Sequence, residues 1–105
     1  MPILTLEQIQ DQLLKLQFNW QLAKDILFIE IQTSTFEEAV WVISELSVVT
    51  KELAHHPDIT IKNYNHLTIQ TTTHEYGGLT DKDFQLAERL EGIITRIENK
   101  AIGEA

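Results

Sequence analysis

Two histidines and a proline, His55-His56-Pro57, stand at the end of the longest helical stripe in the chain and constrain the fold more than any other feature. The residue before a proline is biased away from helical angles, so a helix arriving there must stop at or near His56 and turn into extended chain. That helix also has a start signal. Thr35 and Glu38 have capping-box spacing, and Phe36, Ala39, Ile43, Leu46 and Leu53 form the apolar stripe of a helix running to about His55. Two more helices open in the same way. Thr5 with Gln8 precedes a face of Leu6, Ile9, Leu13 and Leu16, ending near Gln17. Thr80 with Asp83 precedes Phe84, Ala87, Leu90, Ile94 and Ile97.

Strand-like runs lie between these helices. Phe18, Trp20 and Leu22 alternate with polar or small neighbours, and Ile26 to Gln32 follows a Lys24–Asp25 turn. Ile59 and Ile61 lead into the turn-prone Asn63-Tyr64-Asn65, and Leu67, Ile69, Thr71 and Thr73 lead away from it. The order is α-β-β-α-β-β-α. Two hairpins and three helices of this length predict an α+β fold, one four-stranded antiparallel sheet with the helices packed on one face. At 105 residues the chain is read as a single domain, 1–105, which buries roughly 60–70% of its unfolded surface. The middle helix is apolar on a second side, at Trp41, Val42, Val48 and Val49. That side suits either burial by neighbouring elements or a subunit interface.

Composition removes several classes of function. With 8 basic against 16 acidic residues, and no segment that concentrates the basic ones, direct nucleic-acid binding is not expected. The absence of cysteine excludes disulfides, thiol catalysis and thiolate metal sites. No apolar run approaches the roughly 20 residues of a membrane span, and the start carries no secretory pattern. The expectation is a cytoplasmic protein without membrane attachment. Only the tail, Ala101 to Ala105, reads as poorly ordered.

Of the four histidines, three fall near one another in the expected fold. If the second hairpin turns between Tyr64 and Asn65, His74 lies level with position 55, and opposed residues on neighbouring strands stand about 5 Å apart at Cβ. His74-Glu75-Tyr76-Gly77-Gly78 then leaves the sheet through a glycine-bearing loop. His55, His56 and His74 therefore gather at one edge of the sheet. Imidazoles so placed can supply both a proton donor and an acceptor near neutral pH. Three of them could instead hold zinc with a position open for water, or one could activate a hydroxyl such as that of Thr72 or Thr73. Acid–base work suits the set best, because adjacent His55 and His56 would have to aim both rings at one ion across a helix end, and no oxyanion loop is visible. His66, beside the turn, reads as a surface residue.

The run Glu52-Leu53-Ala54-His55-His56-Pro57, then Tyr64-Asn65, Thr72-Thr73-His74-Glu75, Gly78-Leu79-Thr80 and Asp83 resembles the pterin-4a-carbinolamine dehydratases. The likeness extends over most of the chain, through Trp20, Phe36-Glu37-Glu38-Ala39 and Leu86-Ala87. It implies dimeric or tetrameric assembly and loss of water from 4a-hydroxytetrahydropterin to give quinonoid dihydropterin. The pterin is then the substrate, and neither a metal nor a dissociable cofactor is needed. By the same resemblance His55, His56 and His74 are the catalytic set. His55 and His74 share the acid and base roles, and His56 positions the pterin. Ala54, Thr72, Thr73 and Glu75 line the substrate-binding segment, with Trp20 either a pocket wall or a core residue. Asp83 is either an acidic residue orienting His74 or a first-turn helix cap. One departure is Lys51, where many members carry glutamate four residues before the first histidine. Relatives that act as transcriptional cofactors make a non-catalytic assembly chaperone or cofactor the alternative. All three histidines argue against it, since a scaffold does not need them.

Overall fold

The computed structural model describes residues 2–97 and the short strand Ala101–Ile102. Its elements are α1 (Leu6–Lys15), β1 (Gln21–Ala23), β2 (Ile26–Gln32), α2 (Phe36–Leu53), β3 (Asp58–Lys62), β4 (His66–Thr71), α3 (Asp81–Ile94) and β5 (Ala101–Ile102). Strands are antiparallel in the order β1-β2-β4-β3, and β5 adds to β2 through Ile31–Ile102 and Gln32–Ala101. The three helices and four main strands follow the expected order. The added strand falls where the tail was read as poorly ordered, and residues 103–105 of that tail lie outside the described residues.

All three expected start signals operate. Thr5 and Gln8 form a reciprocal capping box, as do Thr80 and Asp83. At α2 the Thr35 hydroxyl accepts from the Glu38 N–H at 3.1 Å, while the Glu38 carboxylate accepts from Ser34 N–H at 2.9 Å, one residue earlier than the expected box. α2 stops at Leu53, before the proline acts. Ala54 adopts the left-handed conformation (φ 53°), and the N–H groups of Ala54 and His55 donate to Lys51 and Thr50 carbonyls in a Schellman arrangement.

Alternation along the strands separates two faces. Leu27, Ile29, Ile31, Leu67 and Ile69 are buried against Ala39, Val42, Leu46, Phe84, Leu86, Leu90 and Ile94 of the helices. Their neighbours Ile26, Phe28, Thr68 and Gln70 sit on the opposite face and are half-buried. The second hairpin pairs Asp58 with Gln70 and Lys62 with His66, so its turn is centred on Tyr64 and not between Tyr64 and Asn65. Asn63 and Tyr64 both have positive φ, which gives the loop three residues and shifts the register by one. Buried Asn65 holds it there, donating through Nδ2 to the Thr33 carbonyl at 2.7 Å.

The first strand is shorter than its alternation predicts. Gln17 and Phe18 donate their backbone N–H groups to Glu91 Oε2 at 2.8 Å each, which takes them out of any ladder. Among the described residues, no helix is long and apolar enough to cross a membrane.

Candidate active site

Asp83 is fully buried and is the hub of an inner network. As the third residue of α3 its carboxylate reaches back to the Thr80 N–H, 2.9 Å from Oδ2. Oδ2 also accepts from the Thr73 hydroxyl at 2.8 Å. Oδ1 accepts from the Thr71 hydroxyl at 2.6 Å and faces His55 Nε2 at 2.7 Å. A buried carboxylate is tolerable only when donors surround it, and four do.

This arrangement sets the tautomer of His55. An ionised carboxylate accepts only, and the Thr71 proton is committed to Asp83, so His55 Nε2 carries the hydrogen and shares it with Asp83 and with Thr71 Oγ1 at 3.0 Å. Nδ1 has no partner among the described residues. Every buried side-chain nitrogen and oxygen among them is bonded, so Nδ1 reaches solvent. The imidazole is thus gripped at one nitrogen and open at the other. Helix ends hold the two partners in place, with Ala54 turning the chain so that His55 follows α2. Lys82 Nζ donates to the Leu53 carbonyl, tying the end of α2 to the start of α3.

His56 and His74 belong to an outer layer. With Ile26, Asp58, Gln70, Thr71 and Thr72 they line a small cleft open to solvent. The alternation that buries Leu27 and Ile69 places Ile26 and Gln70 on the sheet face turned away from the helices. Beyond β4 the chain bridges Thr73 to Gly78 and coils through a short 3₁₀ turn, His74–Tyr76, which presents His74. Gly77 closes that turn at φ 71°, and a Cβ on Gly78 would stand 2.9 Å from the Ile3 side chain, so both positions suit glycine. Thr71 belongs to both layers: it bonds Asp83 and lines the cleft.

The expected residues are therefore distributed differently from the sequence reading. The β3–β4 ladder ends at Asp58–Gln70, so neither His55 nor His74 is part of it and His74 is not level with position 55. Asp83 holds His55 and not His74, because the first turn of α3 packs against the end of α2. It caps the helix as expected, and the same carboxylate holds a histidine, although that histidine is His55 and not the expected His74. The Thr73 hydroxyl is occupied inside the network, 2.8 Å from Thr80 Oγ1 as well as bonded to Asp83, whereas Thr72 lines the cleft. Ala54 and Glu75 are exposed beside the site. Trp20 is buried in the core, with Nε1 donating to Glu91 Oε2 at 3.0 Å, and is not among the residues lining the cleft. Lys51 is exposed on the last turn of α2, and His66 is exposed at the start of β4. Asp58 and Gln70 were not singled out from the sequence, although strand alternation puts them on the face opposite half-buried Ile59 and buried Ile69. Among the described residues, no three His, Asp or Glu side chains are grouped to hold a metal ion.

The chain is similar to known proteins over most of its length. A family described as Pterin 4 alpha carbinolamine dehydratase matches residues 2–93. Proteins provisionally named pterin-4-alpha-carbinolamine dehydratase are similar throughout. One from Sulfurisphaera tokodaii is 33% identical over 95 residues, covering 90% of this chain and all of its own. One from Metallosphaera sedula is 35% identical over 91 residues, covering 87% and 93%. Among solved structures, a transcriptional coactivator/pterin dehydratase from Brucella melitensis superposes with a TM-score of 0.81 at 22% identity, over 88% of this chain and 98% of that one. A pterin dehydratase-like RuBisCO assembly factor of the alpha-carboxysome gives 0.58 at 15% identity, over 75% and 90%, a likeness of fold. With a gripped imidazole, two more histidines in an adjoining cleft and a family match over nearly the whole length, the chain belongs to the pterin-4a-carbinolamine dehydratase family.

Proposed function

We propose that this protein converts 4a-hydroxytetrahydropterin to quinonoid dihydropterin by histidine acid–base catalysis. The observation that carries this reading is His55, fixed through Nε2 by a buried carboxylate and open at Nδ1, next to a cleft that holds two further imidazoles. The reaction expels the C4a hydroxyl as water and removes the proton from the neighbouring ring nitrogen, N5. A neutral His55 with its hydrogen held at Nε2 offers a lone pair at Nδ1, which suits the base that accepts the N5 proton. His74 then supplies the proton to the departing hydroxyl, and His56 positions the ring. The N5–H electron pair forms the C4a=N5 bond as the C4a–O bond breaks, and solvent then takes the proton from His55 and returns one to protonate His74, so the sum is loss of one water.

Stopped-flow measurement with chemically generated 4a-hydroxytetrahydropterin tests this directly. His55→Ala and His74→Ala are each expected to lower kcat at least about 100-fold with an unchanged circular dichroism spectrum. Two variants that turn over like the parent protein would remove the assignment.

Assembly is part of the same proposal. Phe36, Val40 and Val48 of α2 are 47%, 42% and 54% exposed; of the apolar second side read from the sequence only Val48 is among them, since Val42 and Val49 are buried in the core and Trp41 is half-buried. Large apolar side chains spaced along one helix are costly to leave in water, and a second copy would cover them. Light scattering during gel filtration should report a dimer or tetramer at micromolar concentration. A monomer there would leave α2 uncovered and remove the interface.

A further inference from the structure

The cleft offers two polar side chains that the histidine chemistry does not use. Asp58 and Gln70 are register partners across β3 and β4, and both line the cleft with His56 and His74. Directly opposed residues carry their Cβ atoms roughly 4.5–5.5 Å apart, so the carboxylate and the amide stand side by side. Neither side chain is hydrogen-bonded or ion-paired to another described residue, whereas the Asp83 carboxylate on the inner layer is saturated. Asp58 is exposed and Gln70 half-buried, so both side chains are free to bond a ligand in the cleft.

We infer that Asp58 and Gln70 read the 2-amino-4-oxo edge of the substrate heterocycle, an inference that rests on the function proposed above. That edge presents two adjacent donors, the exocyclic amine and the ring N3–H, followed by a carbonyl oxygen. A carboxylate accepts from two parallel donors, and a neighbouring amide N–H donates to the carbonyl. The reacting atoms, C4a and N5, adjoin the carbonyl end of that edge, and His56 and His74 line the same cleft as Asp58 and Gln70. Asp58 selects the amino form of the ring, because a ring with oxygen at C2 would set an acceptor against its carboxylate.

The test compares fluorescence titrations with pterin and with lumazine, which carries oxygen at C2 in place of the amine, together with kinetics on the carbinolamine. The parent protein is expected to bind pterin at least about tenfold tighter than lumazine, the size of one charged hydrogen bond. Asp58→Asn should erase most of that preference, since an amide can turn either its donor or its acceptor to C2. In kinetics it should raise KM about tenfold, with a larger change in KM than in kcat. Gln70→Ala should weaken both ligands to a similar degree. His74→Ala supplies the contrast, with kcat lowered and the pterin preference kept. If the parent protein turns over the carbinolamine while Asp58→Asn retains its KM and its pterin preference, this inference fails and the proposed function stands. If the parent protein neither turns over the carbinolamine nor binds pterin, both fail together.

Discussion

Asp83→Asn is expected to cost the protein as much turnover as loss of His55 itself, and to lower its stability by about 2–4 kcal/mol as well. The reason lies in which donors can move. The hydroxyls of Thr71 and Thr73 can rotate, but the backbone N–H of Thr80 points at Oδ2 and cannot be reversed. An asparagine must therefore turn its oxygen towards Thr80 and its NH2 group towards His55. Nε2 then has to accept, and the imidazole hydrogen moves to Nδ1, the nitrogen proposed to act as base. The wrong tautomer faces the substrate. Two readouts separate this from simple loosening of the fold. Nitrogen chemical shifts of the His55 ring should exchange their protonated and unprotonated positions, and kcat should fall far more than KM changes. The stability cost should appear as a lower urea midpoint with an unchanged slope. An Asp83→Asn protein with parent turnover would show that Asp83 only caps α3. A fall in turnover with the His55 tautomer retained would show that geometry, and not proton placement, had been lost.

The pairing of Asp83 with His55 is not legible in the sequence, although much around it is. The helix starts were legible because capping is local: Thr5, Thr35 and Thr80 each sit three residues from a partner. The layered sheet was legible because strand alternation is local too. The histidine pair was legible because Pro57 announces the break. Which histidine meets Asp83 depends on how α3 docks against the end of α2, with Lys82 bonding the Leu53 carbonyl, and no spacing rule encodes that contact. The hairpin shows the same limit on a finer scale. Asn63-Tyr64-Asn65 was recognisable as a turn, but two successive residues at positive φ decide whether it is centred on Tyr64 or half a residue later. That half-residue changes every partner along β3 and β4. With it corrected, Asp58 falls opposite Gln70 and the polar wall of the cleft becomes visible.

Glu91→Ala should be strongly destabilising although it lies outside the active site, because one carboxylate oxygen serves three donors. Oε2 accepts from the backbone N–H groups of Gln17 and Phe18 and from Trp20 Nε1, while Glu91 as a whole is 6% exposed. Alanine leaves all three without a protein partner. Water can reach the two part-buried backbone groups, but the indole N–H is buried, and a buried donor without a partner costs about 1–3 kcal/mol. Together with the lost anchoring of the segment between α1 and β1, a loss of roughly 3 kcal/mol is expected, equivalent to a fall of roughly 10–20 °C in Tm for a chain of this size. Glu91→Gln is the informative companion. All three bonds converge on one oxygen, so the glutamine carbonyl can take its place and only the charge is lost, with an expected cost of about 1 kcal/mol. Amide hydrogen exchange at Gln17 and Phe18 should accelerate in the alanine variant and remain close to that of the parent in the glutamine variant. The same pair of variants decides the role of Trp20, which the sequence left between pocket wall and core. If Trp20 only packs, Glu91→Ala assayed well below its melting temperature keeps the parent kcat and KM while its tryptophan fluorescence shifts to the red. A raised KM in the alanine variant, absent in the glutamine variant, would place the indole against the substrate after all.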